Sequence, residues 1–123
     1  MAELTREFAE KFANSWIEAW NAHDLKRIFS LYEDDFRMSS PYISERMGVP
    51  AGALIGKDNI RPYWEKSLQL DPPIRFVLED IYLGVSSIVL QYKSVGRRRV
   101  CETFTFGESG KVTSGCSQHG PAL

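Results

Sequence analysis

With 123 residues, 43% of them hydrophobic and 25% charged, the chain reads as one folded domain over residues 1–123 with a core of its own, not as a disordered segment. Its net charge of -1 gives no electrostatic reason to expect nucleic acid or an anionic membrane as partner, and no apolar run is long enough to cross a bilayer. The acidic, polar start Met1-Ala2-Glu3-Leu4-Thr5-Arg6-Glu7 is unlike a secretory signal, and the two cysteines make no metal-ligand spacing, so a cytoplasmic protein with reduced thiols and no bound metal is expected.

Thr5 suits the N-cap of a first helix running to about Asn21, in which Phe8, Phe12, Trp16 and Trp20 recur at helical spacing. The pentapeptide Trp20-Asn21-Ala22-His23-Asp24 then breaks the helix. Asn21 and His23 tolerate left-handed backbone, and Asp24 suits the cap of a second, short helix to about Glu33. Asp35 to Ser40 alternates like a short strand that Pro41 ends. Residues 42–56 read as a loop holding Gly48, Pro50, Gly52 and Gly56, and the stretch from Tyr42 to Ile55 is a candidate lid. A third helix is expected from Lys57 to Leu70, with Pro62 in its opening turns.

After Pro72-Pro73 the pattern changes to alternation. Ile74–Leu83, Ser87–Lys93, Val100–Phe106 and Lys111–Gln118 read as strands joined by glycine-bearing turns, an antiparallel meander. Helices followed by such a run make an α+β fold with the helices on one face of a curved sheet. Taking Gly107-Glu108-Ser109-Gly110 as the last turn places Phe106 opposite Lys111, Phe104 opposite Thr113, Glu102 opposite Gly115 and Val100 opposite Ser117. Cys101 then opposes Cys116 on the other face. Val100, Glu102, Phe104 and Phe106 form one row, apolar except for Glu102. A carboxylate in such a row is costly to bury unpaired, so it marks a satisfied structural group, a raised pKa or a pocket. As a structural group it would be satisfied by Trp16, Tyr32 or a basic partner. His119 falls on the same face, either as a general base or as a solvated residue near the end of the strand. Arg97-Arg98-Arg99 reads as a solvated, edge-protecting run rather than a phosphate site.

The blocks Trp16-(x)3-Trp20-Asn21-Ala22-His23-Asp24-Leu25, Ser40-Pro41, Gly56-(x)3-Ile60-Arg61-(x)2-Trp64 and Phe104-(x)5-Gly110-Lys111-Val112, in that order, carry a resemblance over nearly the whole chain. It is to the nuclear transport factor 2-like superfamily, in its SnoaL-like and ketosteroid-isomerase-like branch. The resemblance implies a cone-shaped roll, a bent antiparallel sheet wrapped around three N-terminal helices with a pocket between them. It also implies a homodimer through the outer sheet face. The isomerases' phenolic donor falls at Trp16, their general base at Ser40, their protonated aspartic acid at Glu102 and a supporting tyrosine at Trp64. Only the carboxyl at Glu102 survives. Because serine at Ser40 cannot carry a proton between carbons unaided, a ketosteroid isomerase is not expected.

The expected ligand is a small, largely apolar organic molecule. Its expected lining is Trp16, Tyr32, Met38, Ser40, Trp64, Leu90, Tyr92, Phe104 and Ser117, with Glu102 and His119 as the catalytic candidates. No cofactor is expected. Two functions fit these residues: acid–base catalysis of isomerase, dehydratase, cyclase or hydrolase type at Glu102, or a non-catalytic ligand-binding or dimerisation module. The fold alone does not separate them.

Overall fold

The computed structural model describes residues 3–94 and 98–122. In chain order its elements are α1 (Arg6–Asn21), α2 (Leu25–Phe29), β1 (Tyr32–Ser39), α3 (Pro41–Met47), β2 (Ala53–Ile55), α4 (Lys57–Ser67), β3 (Val77–Leu83), β4 (Ser87–Lys93), β5 (Arg98–Phe106) and β6 (Val112–Ala122). The strands form one bent, unclosed sheet in the order β2-β1-β6-β5-β4-β3, an α+β cone. The β3–β6 meander is antiparallel, as its turns imply, but β1 joins β6 in parallel. A parallel pair needs a long crossover, and everything between β1 and β6 serves as one.

Local chemistry explains each boundary. Thr5 caps α1 by accepting from the Phe8 amide, and Asp24 caps α2 by accepting from the Arg27 amide. The second helix is shorter than expected. It stops at Phe29, and the Leu31 carbonyl accepts from the Val112 amide, so Tyr32 enters the sheet as the first residue of β1. Pro41 does more than end β1. Ser40 accepts from the Tyr42 amide and Pro41 takes the first helical position, where a missing amide costs nothing, so the expected loop begins with α3. Gly48 ends α3 at φ 66, a left-handed position that glycine takes without strain. The loop then contributes β2, paired with β1. The third expected helix, α4, ends at Ser67 rather than Leu70. The first strand of the meander starts at Val77, not Ile74, because residues 74–76 bond to side chains of the α1–α2 break instead of to β4.

The β5–β6 register differs from expectation by two residues. Glu102 opposes Ser117, Phe104 opposes Gly115, Val100 opposes His119 and Cys101 opposes Gln118, while Cys116 lies opposite Thr103. One residue of the shift comes from the turn, where Phe106 pairs with Val112 rather than Lys111, and one from a bulge next to Thr105. A two-residue shift preserves the faces, so Glu102, Ser117 and His119 still point to the helix side. Cys101 and Cys116 are both free thiols, and they are not directly opposed.

The core joins α1, α2 and α4 to the inner sheet face through Phe12, Trp16, Trp20, Ile28, Phe36, Ile60, Trp64, Ile88, Leu90 and Phe104. Phe12 meets Phe104 edge-on at 4.9 Å, and Trp20 meets Trp64 edge-on at 5.3 Å. Such ring pairs add stability beyond the area they bury, about 0.5–1.5 kcal/mol each.

Candidate functional site

At one end of the cone the core gives way to a cavity of about 290 Å³. By volume this equals about ten waters, near the lower end of the range for small-molecule sites. Its floor is buried: Trp16, Met38, Ser40, Tyr63, Trp64, Tyr92, Val100 and Glu102 all line it at 5% exposure or less. Its rim is made of half-buried Tyr42 and Arg46 on α3, Ile74 and Phe76, Ser94, Arg98 and His119, with more exposed Leu70, Asp71 and Pro72. Gly115 keeps Met38 in place from behind. A Cβ there would lie 3.1 Å from the Met38 sulfur.

Glu102 is the polar centre of the floor. Its Oε1 accepts from the Tyr92 hydroxyl at 3.1 Å and from the Ser117 hydroxyl at 2.5 Å. Both donors are neutral, and among the described residues no cation pairs with this carboxyl. Burial therefore dominates and pushes its pKa up from 4.5 to about 7, against the pull of the Ser117 and Tyr92 hydrogen bonds. Among the described residues Oε2 has no protein partner, so one carboxyl oxygen is uncommitted. Tyr92 stays protonated: burial first, then the Glu102 charge, holds its hydroxyl well above the ordinary tyrosine range.

His119 presents the opposite protonation tendency. Burial, followed by the Arg98 and Arg46 charges, lowers its pKa, so the ring is neutral at pH 7. Its ring lies 4.5 Å from that of Tyr42, over which the Arg46 guanidinium sits at 4.2 Å. Both ring nitrogens of His119 are buried without a protein partner, as is Nε1 of Trp20. Buried polar atoms are ordinarily satisfied. Trp20 and His119 both line the cavity, but these nitrogens are themselves buried beneath its surface.

The Trp20-to-Asp24 break is what closes the cavity. Asn21 donates from Nδ2 to the Phe76 carbonyl at 2.9 Å and accepts from the Phe76 amide at 2.7 Å. His23, held at φ 53, hydrogen-bonds through Nε2 to the Ile74 carbonyl at 2.8 Å. The clamped segment lays Phe76 flat against Trp16, 5.5 Å between centroids and 11° between planes. His23 is thus a loop residue with a structural bond across the fold.

Of the residues singled out in the sequence, Trp16, Met38, Ser40, Trp64, Tyr92, Glu102, Ser117 and His119 come together around this cavity. Tyr32, Leu90 and Phe104 do not line it. They are fully buried behind the floor, where Trp16 spends its indole N–H on the Tyr32 hydroxyl at 2.9 Å. The partners of Glu102 are accordingly Tyr92 and Ser117, not Trp16, Tyr32 or a basic group. The Ser40 hydroxyl caps α3 and receives the Tyr63 hydroxyl at 3.4 Å. Sequence reasoning misses the rim pair Tyr42 and Arg46, which depends on recognising α3. Arg99 is solvated as expected, but the edge-protecting reading of Arg98 and Arg99 fails. Neither lies on an edge, because β5 is interior: Arg98 lines the cavity and Arg99 pairs with Glu79, while Arg97 lies outside the described residues. The parity of Arg98 with Val100 and Glu102 is the available signal.

Residues 13–115 match the family model for the SnoaL-like domain. A SnoaL-like protein of unknown function from Burkholderia thailandensis is similar at 37% identity, with 96% of this chain and 98% of that one covered and a TM-score of 0.92. Two more distant structures share the fold. One is a candidate ketosteroid isomerase from Kribbella flavida, at 12% identity, 95% and 81% coverage and TM-score 0.70. The other is the epoxide hydrolase/cyclase-like enzyme SalBIII of salinomycin pyran-ring formation, at 15% identity, 93% and 92% coverage and TM-score 0.72. No curated protein matches the chain. The extent of the family match and the close structural relative together make this chain a member of the SnoaL-like branch of the nuclear transport factor 2-like superfamily.

Proposed function

We propose that the protein binds a small, largely apolar organic molecule in the cavity and moves a proton on it with Glu102, without a cofactor. The observation that carries this reading is Glu102 itself, a carboxyl poised near pH 7 on the floor of an aromatic cavity with one oxygen uncommitted. An acid whose pKa lies near the working pH both gives and takes a proton readily. In the donating direction the Oε2 proton passes to a ligand oxygen or carbon and leaves the Glu102 carboxylate held by Tyr92 and Ser117. Neutral His119 accepts a proton released elsewhere on the ligand, and after the product leaves, exchange with water returns a proton to Glu102 and removes one from His119. Ring opening, cyclisation, dehydration and double-bond migration all fit this pair. The fold neighbours include an enzyme described as epoxide hydrolase/cyclase-like, which is consistent with such chemistry. Ketosteroid isomerisation is not part of the proposal, because Ser40 stands at the base position and its hydroxyl is engaged in capping α3.

The engagement of Ser40 also favours a second reading, a binding module that holds the same ligand without turning it over. Native mass spectrometry of the purified protein tests the common part, with a co-purifying small molecule as the expected result. Turnover of that molecule, lost in Glu102→Gln while binding is retained, separates the enzyme from the binder; retained turnover in the variant removes Glu102 from the chemistry. We further propose a homodimer through the outer sheet face, whose central strands present Val89, Gln91, Cys101, Thr103 and Cys116. A monomeric mass by light scattering at micromolar concentration overturns it.

A further inference from the structure

The rim carries two cations that the proton chemistry does not use. Arg46 reaches the cavity from α3 and Arg98 from β5, and both are half-buried. Among the described residues neither forms an ion pair. Asp71 shares the rim without bridging to either, and Glu102 on the floor forms no ion pair with them. Both arginines line the same cavity as His119: the Arg46 guanidinium sits 4.2 Å from the Tyr42 ring centroid, and that ring lies 4.5 Å from the His119 ring at a tilt of 59°.

Resting on the reading of the cavity as a ligand site, we propose that the ligand is an organic acid, its carboxylate held at the rim by Arg46 and Arg98 and its apolar body lying among Trp16, Trp64 and Phe76. A guanidinium offers a planar fork of donors that matches a carboxylate in two-point contact. A carboxylate at the rim fixes the direction of the ligand, so the atom that meets Glu102 lies on the part of the molecule remote from the acid group. The acid group anchors and the far end reacts.

The chain's three tryptophans all line the cavity, so intrinsic fluorescence reports its occupancy. Benzoate, phenylacetate and 3-phenylpropanoate are titrated, each beside its neutral amide. At least one acid is expected to bind about tenfold more tightly than its amide. In Arg46→Gln/Arg98→Gln that preference is expected to vanish while the amide binds as before; the single variants, each expected to lose part of it, serve if the double variant does not melt cooperatively. Equal binding of acid and amide overturns the anionic subsite and leaves the cavity reading standing. So does a preference that survives in the arginine variants. Phenyl phosphate binding more tightly than every acid overturns the carboxylate. Failure of every compound, acid or amide, to change the fluorescence at millimolar concentration overturns the subsite and the ligand-site reading together.

Discussion

Glu79 and Glu102 are glutamates on opposite faces of the same sheet, and each accepts more than one side-chain hydrogen bond. Glu79, on the outer face, takes Arg99 Nε on Oε1 at 2.7 Å and Nη2 on Oε2 at 3.2 Å, with Gln91 adding a third donor at 3.3 Å. Its pKa is drawn down, first by the Arg99 hydrogen bond. Glu102, on the inner face of the strand that carries Arg99, has two donors that are both neutral, and its pKa is pushed up to about 7. Hydrogen-bond number does not account for the contrast. What differs is burial and a cation: the outer carboxylate is paired with Arg99, whereas the inner one is buried and, among the described residues, has no cation partner. The outer group is a fixed charge at every physiological pH, whereas the inner one stores a proton that it can release.

The largest test of this contrast is the pH dependence of stability. The folded-state pKa of Glu102 lies above the ordinary carboxyl value of 4.5, at about 7. The folded protein therefore binds more protons than the unfolded chain between these values. Stability is fullest below pH 4.5 as far as this group is concerned, falls as pH rises, and levels off above 7. The gap corresponds to about 3 kcal/mol, an order-of-magnitude figure. Denaturant melts of the wild type across pH 4.5 to 8 are expected to show this decline, and Glu102→Gln is expected to flatten it and to be the more stable protein at pH 8. His119, whose pKa is lowered, contributes in the opposite sense below pH 6.5, so the deciding quantity is the difference between wild type and Glu102→Gln: a difference that does not change through this window means that Glu102 is ionised in the fold, as Glu79 is.

A smaller effect comes from the donors on the floor. Tyr92→Phe and Ser117→Ala each take away one hydrogen bond that favours the Glu102 carboxylate, so each is expected to move its titration midpoint further up, followed by carbon NMR of the side-chain carboxyl. At pH 8, where the charged form must be accommodated, each loss is expected to cost about 1.5–3 kcal/mol, and less at pH 5. Equal costs at both pH values mean that these hydroxyls serve packing alone.

The face of Glu102 was readable in the sequence because parity survives a two-residue error of register. The opponents of Glu102 were not, because one bulge and one turn residue decide them, and neither leaves a strong local mark. The buried floor was largely legible as apolar residues at alternating positions. The rim was not. Ser40-Pro41 signals a strand stop and a helix start with the same two letters, and only the second meaning produces α3 with Tyr42 and Arg46 on one side. The Trp20-to-Asp24 break illustrates the other limit. Its local backbone behaviour follows from Asn, His and Asp chemistry, but its bonds to residues 74–76 span more than fifty positions and belong to the tertiary fold. Tyr32, Leu90 and Phe104 alternate in step with true lining residues, yet lie one layer behind them, a depth that periodicity does not encode.

The smallest expected effect lies on the outer face, and it has the opposite sign. A carboxylate whose folded pKa is lowered stabilises the protein above the unfolded value and loses that contribution as pH falls. Arg99→Ala is expected to return the Glu79 midpoint towards 4.5 and to weaken the protein slightly above that pH, an effect that added salt also produces because both partners are solvated. The informative measurement is the midpoint of Glu102 in the same variant. Arg99 and Glu102 are three residues apart on one strand but separated by the sheet, so the Glu102 midpoint is expected to stay where it is. If it moves with that of Glu79, the two faces communicate through β5, and the inner carboxyl is tuned by the charge behind it as well as by the cavity in front.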